Sequence, residues 1–149
     1  MILVQEEDFE VELLYKRLVK ANKTGAVAMF VGLVRQFAEG PNEDSSFELE
    51  HYPGMTEHNL QVIVDDANAR WSLLDVCVVH RVGRLHVDDQ IVFVGVSATH
   101  RAEAFLACDF IMDYLKSRAA FWKKETQGIQ SRWVEANTKD EKSLERWSK

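Results

Sequence analysis

Apolar residues recur along this chain in two alternating periods. Met1 to Val4 forms a short apolar run that predicts a strand. Val11, Leu14, Leu18 and Ala21 follow at helical spacing and predict a helix over about Phe9–Ala21. After Gly25, AVAMFVGLV (Ala26–Val34) reads as a buried strand, with Gly32 inside it marking a bulge or a close backbone approach. Arg35–Ser46 is polar around Gly40-Pro41 and predicts a mobile loop. Phe47–Tyr52 alternates as a half-buried strand, and Pro53-Gly54 turns the chain into a helix from Thr56 to about Trp71, striped by Leu60, Ile63, Val64 and Ala67. Leu73–Gly83 and Gln90–Ala98 predict two strands joined through Asp88-Asp89. The second is apolar almost throughout, the mark of a central strand covered on both faces. A long helix is expected over Arg101–Arg118 with Phe105, Cys108, Met112 and Leu115 on one face, then short strands near Phe121–Glu125 and Ser131–Glu135. Asn137–Lys149 reads as a charged, peripheral tail.

Strands and three helices mixed without strict alternation predict an α+β fold, helices packed on a largely antiparallel sheet. At 149 residues the chain is expected to be one domain with a sizeable core.

Charge narrows the function. The chain carries net −6, which argues against a nucleic acid as main partner. No apolar run approaches the ~18 residues of a membrane span, and the first residues lack the basic start of a secretion signal, so a cytoplasmic location is expected. Cys77 and Cys108 lie in apolar surroundings, far apart, and read as buried thiols. No cysteine or histidine spacing predicts a metal site, and no cofactor motif appears.

Against that acidic background one stretch stands out. Phe110–Glu125, FIMDYLKSRAAFWKKE, sets Lys116, Arg118, Lys123 and Lys124 against Asp113 and Glu125. Such a patch suits a small anionic ligand. Lys116 has a plain alternative, a surface pair with Asp113 one helical turn away. Lys123 and Lys124 lie in an alternating segment, so one points with the cluster and the other away, with Glu125 on the Lys123 face. Arg35 leaves a strand for a loop, where a charged side chain can reach a cleft or simply be solvated. His100-Arg101 opens the long helix, where backbone N–H groups favour anions. The alternative there is a helix capped by Thr99 with both basic side chains in solvent.

Five blocks carry a wider likeness: LEHYPGMTE (Leu49–Glu57), HRVGRL (His80–Leu85), IVFVGVSATHR (Ile91–Arg101), the basic stretch itself and RWVEA (Arg132–Ala136). From about Gly25 to Ala136 the chain resembles the large, catalytic subunit of molybdopterin synthase, the MoaE family. The resemblance implies an α/β-hammerhead fold and a homodimer within a heterotetramer. Its partner would be a small ubiquitin-like sulfur carrier whose C-terminal Gly-Gly thiocarboxylate enters the active site. The implied reaction places two sulfurs on cyclic pyranopterin monophosphate to make the dithiolene of molybdopterin. The implied catalytic residues are Lys116 and Lys123. Substrate binding would involve these two with Leu33, Val34, Arg35, His100, Arg101, Lys124 and Glu125, the histidine–arginine pair coming from the other protomer. Two positions depart from the family pattern. A common proline is Ala120 here, which removes a helix stop. A frequent basic residue is Leu33, which can offer only backbone or apolar contact. A non-catalytic pterin- or nucleotide-binding module, or a scaffold for an acidic partner, would use the same cationic patch without chemistry.

Overall fold

A computed structural model describes residues 1–36, 45–135 and 138–148, so most of the polar loop expected after Arg35 lies outside the described residues. Two four-stranded sheets carry the fold. The first runs β1 (Ile2–Gln5), β4 (Leu73–Arg81), β6 (Gln90–Ala98), β2 (Ala26–Leu33), with β1 parallel to β4 and the other pairings antiparallel. The second runs β5 (Gly83–Leu85), β3 (Ser45–His51), β7 (Phe121–Gln127), β8 (Gln130–Val134), antiparallel throughout. Two sheets rather than one is the main difference from the expected architecture, and the short β5 had no signal of its own.

The central strands explain their own composition. Val76, Val78, Val94 and Val96 face α2 (Met55–Arg70) and α3 (Arg101–Arg118), while Cys77, Val79 and Phe93 face α1 (Val11–Leu18). Each fully buried valine there contributes about 1.5–3 kcal/mol. A Cβ at Gly95 would stand 2.4 Å from Leu18 Cδ1, so glycine lets α1 lie directly on β6. Both cysteines are buried as free thiols; burial raises the pKa of each, that of Cys108 to about 11.

Several expectations are corrected. The first helix is shorter, ending at Leu18: the Lys20 N–H bonds the Thr24 hydroxyl instead of continuing the helix, and Lys20 Nζ reaches Asp75 at 2.6 Å. β2 is an edge strand, with Met29 and Phe30 exposed rather than buried. The expected bulge is there: the pairing with β6 shifts between Gly32 and Leu33. Phe105, expected on the buried face of α3, is 67% exposed. The buried arc runs instead through Ala104, Ala107, Cys108, Ile111 and Leu115, whose small early members let the helix lie close to the sheet.

The stretch read as a peripheral tail folds as α4 (Thr138–Ser143) and a 3-10 turn (Leu144–Trp147). Trp147 is buried against Trp71 and Phe110, ring centroids 5.9 and 5.4 Å away.

The sheets meet where β4 ends and β7 begins. Val34, Phe47, Leu49, Val82 and Leu85 form a small core there, with Phe121 packed against it. Beside it the buried His80 ring stacks on Phe121 at 3.9 Å, and its Nδ1–H donates to the Arg81 carbonyl at 2.8 Å in the neutral tautomer that contact requires. The chain enters β7 through a tight reversal. Ala119 is extended (φ −71°, ψ 132°), and the Phe121 N–H bonds the Ala119 carbonyl at 2.9 Å. With φ at Ala120 not positive, this is an inverse γ-turn centred on Ala120.

Both features give predictions. An inverse γ-turn has the φ of proline, and Ala119 already has the conformation that precedes one. Ala120→Pro should therefore stabilise the protein by about 0.4–1 kcal/mol in urea unfolding, chiefly by restricting the unfolded chain. For His80, burial comes first and the charge of Lys116 also contributes to lowering its pKa from 6.5 to about 4. Between those values the unfolded chain binds a proton that the folded one refuses, so this stability is complete above 6.5 and is lost as pH falls. The stability gap between wild type and His80→Gln should narrow by about 2 kcal/mol from pH 7 to pH 5.

Candidate active site at the α3–β7 corner

Lys116 stands in the last turn of α3 and Lys123 early in β7, with the γ-turn between them. Three contacts hold this corner. The Thr56 hydroxyl, fully buried, donates to the Ala120 carbonyl at 2.9 Å and accepts from the Tyr52 N–H at 3.2 Å. Asn59 Nδ2 donates to the Arg118 carbonyl at 3.3 Å. The His80–Phe121 stack closes the other side.

Strand alternation then sorts the β7 charges. Lys123 lies over the Phe47 ring, 5.1 Å from its centroid, and pairs with Glu125 Oε1 at 3.4 Å. Glu125 is buried, and its second oxygen accepts from Arg132 Nη2 at 3.1 Å. Lys124 points to the opposite face, 5.6 Å from the Trp133 ring centroid. The expected division of the two lysines is what the fold contains. Arg132 was not singled out from the sequence. The hairpin register that sets Glu125 opposite Arg132 is the signal that could have found it.

Lys116 is exposed, and among the described residues no carboxylate lies within ion-pair distance of it. Its charge contributes to lowering the pKa of the buried His80 at the sheet junction. The simple Asp113 pair is absent because Asp113 is engaged elsewhere, with Arg146 and Trp147.

Val34 and Arg35 approach from β2. The Val34 N–H bonds the Asp89 carbonyl at 2.9 Å, and its carbonyl accepts from the Asp88 N–H at 2.7 Å. The Val34 side chain is buried in the same cluster as Phe47, the ring under Lys123. Arg35 is the next residue and is exposed, so it leaves the chain beside that floor; Leu33 is 55% exposed on the edge strand. His100 and Arg101 are exposed at the other end of α3, and His100 rather than Thr99 takes the N-cap position without a side-chain cap bond. Fifteen residues of helix put Arg101 about 22 Å from Lys116 along the axis. One chain thus pairs Lys123 with Glu125 and sets Lys116 at the other end of the same turn, while the histidine–arginine pair lies at the far end of α3.

Among the described residues no helix is long and apolar enough to cross a membrane. No group of three His, Cys, Asp or Glu among them is placed to hold a metal ion.

Comparison with known proteins agrees with this geometry. The family model described as "MoaE protein" matches residues 4–118. The chain is 53% identical over 148 residues to the "Molybdopterin synthase catalytic subunit" of Ralstonia nicotianae, covering 98% of this chain and 83% of that one. Its fold matches the solved "Molybdopterin biosynthesis MoaE protein" of Burkholderia ambifaria at a TM-score of 0.83 and 48% identity, over 99% and 97% of the two chains. The crystal structure titled "Molybdopterin Synthase" from Staphylococcus aureus matches at 0.81 and 30% identity, over 89% and 96%. A family model spanning most of the chain, and half-identical relatives of nearly its whole length, leave one conclusion: this chain belongs to the MoaE family.

Proposed function

We propose that this chain is the catalytic subunit of a molybdopterin synthase, acting in the cytoplasm. It takes sulfur from the C-terminal thiocarboxylate of a small ubiquitin-like carrier and places two sulfurs on cyclic pyranopterin monophosphate. The observation that carries the reading is the α3–β7 corner, where Lys116, without an ion-pair partner among the described residues, and the Phe47-supported Lys123 flank one fixed turn, with Val34, the residue before Arg35, buried in the Phe47 cluster. Both reactants are anions, and cations in a partly desolvated cleft are what bring two anions together. In this reading Lys116 stands at the thiocarboxylate carbon as proton-transfer group and electrostatic anchor. Lys123 and Arg35 stabilise the phosphate as it leaves, and Glu125 fixes the Lys123 ammonium. Val34 anchors the Arg35 approach, while Leu33 and Lys124 meet the carrier or substrate at the rim.

His100 and Arg101 fit the same site only from a second copy. The exposed apolar residues Met29, Phe30 and Leu33 on the β2 edge and Phe105 on α3 support a homodimer, since an uncovered apolar edge strand invites pairing. Two carriers on such a dimer make the heterotetramer.

The direct test mixes the protein with a thiocarboxylated carrier and cyclic pyranopterin monophosphate, detecting dithiolene as its fluorescent oxidation product. Lys116→Ala should lower turnover roughly 10²–10⁴-fold. Lys116→Arg should fail too, because a guanidinium does not release its proton at neutral pH. Lys123→Ala should weaken substrate binding and rate together. Near-normal turnover in Lys116→Ala would remove its assigned role, and ligand binding without product would favour a binding module. A subunit-mixing experiment tests the shared site. Lys116→Ala and Arg101→Ala proteins, each inactive alone, should recover about a quarter of wild-type activity after subunit exchange, because each mixed dimer has one intact site. No recovery after demonstrated exchange would place Arg101 in the same chain's site as Lys116, and an Arg101→Ala protein active alone would place it outside the site.

A further inference from the structure

On α3 the helical period sets Asp113 one turn before Lys116, a spacing at which a carboxylate and an ammonium readily pair. In this chain the carboxylate is already taken. Asp113 Oδ2 accepts from Arg146 Nε at 2.8 Å and from Trp147 Nε1 at 2.6 Å, and Arg146 Nη2 also reaches Asp109 at 2.8 Å. The Asp113 side chain is only 15% exposed. Its donors come from the C-terminal segment, which has independent anchors. The Ser117 hydroxyl donates to the Asp140 carbonyl at 3.0 Å, Arg70 Nη1 donates to the Trp147 carbonyl at 3.0 Å, and the Trp147 ring sits in the core.

Resting on the functional reading above, we propose that the C-terminal segment is a positioning element for Lys116: Arg146 and Trp147 occupy the Asp113 carboxylate, leaving the lysine unpaired and turned toward the corner. The charged and titratable groups around Lys116 fit this role. Asp109 and Asp113 on its own helix are both held by Arg146. From β4 the charge of Lys116 bears on His80, with His51 of β3 acting on that same imidazole. From β7, Lys123 has its counter-ion in Glu125, which Arg132 of β8 also binds. An ammonium that no carboxylate holds is free to meet an incoming anion, and its amine is open to a reagent. Arg146 therefore acts through Asp113 rather than on substrate.

The test uses the full chain and two readouts. One is dithiolene formation in the reconstituted reaction. The other is the reactivity of the Lys116 amine toward acetic anhydride, followed across pH by peptide mass spectrometry, which needs neither substrate nor carrier. Arg146→Gln frees Asp113 to pair with Lys116, and should lower both the rate and Lys116 acylation roughly two- to tenfold. Arg146→Lys keeps a cation on the carboxylate and should stay near wild type. The double variant Arg146→Gln with Asp113→Asn removes the competing charge, while the amide oxygen still accepts from Trp147, and should restore both readouts. Thermal unfolding of each variant shows that the segment remains docked. An Arg146→Gln protein equal to wild type in both readouts overturns the proposal. So does a double variant as impaired as the single one, since the contact would then be merely structural. If wild type forms no product while Lys116 acylation follows the expected order, the coupling stands and the sulfur-transfer reading falls.

Discussion

One buried hydroxyl organises this molecule. Thr56, in the first turn of α2, spends its donor on the carbonyl of Ala120, and so ties the helical layer to the point where the chain turns into the second sheet. An unpaired carbonyl there would lose its solvent without compensation, a cost of about 1–3 kcal/mol. Lys116 and Lys123 stand on either side of this fixed carbonyl because α3 stops and β7 starts there. The His80 ring on Phe121 and the Asn59 amide on Arg118 secure the same turn from either side. A site built from the end of a helix and the start of a strand inherits the rigidity of both, which loop residues alone would not have.

Much of this was legible in the sequence, for a physical reason in each case. Arg101–Arg118 was readable end to end because a basic-capped apolar helix follows a strand that is apolar on both faces. Lys123 and Lys124 were assigned to opposite faces because a strand has period two and nothing overrides it here. Phe105 was misplaced because Cys108, Met112 and Leu115 share its spacing, and spacing alone cannot reveal that Ala104 and Ala107 form the contact ridge. β2 looked buried because its residues are apolar; an apolar edge and an apolar interior strand have the same pattern. The absence of the family proline at position 120 did not lengthen the helix. The reversal is enforced by Thr56 and by the Phe121 N–H, which act on the backbone and accept alanine or proline alike.

The site was legible only in part. Residues adjacent in sequence, such as Lys123 and Glu125, could be related through strand geometry. Arg132 needed a hairpin register, and Arg146 needed the docking of a segment whose composition is charged. Trp147 was the one clue there, a large apolar side chain at the end of a polar stretch, and it enters the core beside Trp71 and Phe110. Charge in this protein is thus arranged by pairing as much as by placement. Glu125 and Asp113 are each held by designated donors, and among the described residues the lysine between those two sites has no carboxylate at ion-pair distance.

The bulge at Gly32 has a bearing on how the chain survives its own synthesis. It bends an edge strand whose outer backbone groups lie in a row beside Met29 and Phe30. A newly folded copy presents that row to whatever strand arrives first. In the proposed homodimer the covering is bimolecular, so its rate rises with concentration, as does the rate of mispairing. For that proposed pairing, a bent edge suits a partner with a matching kink better than a flat strand, so the single missing side chain at Gly32 also works against unrelated strands.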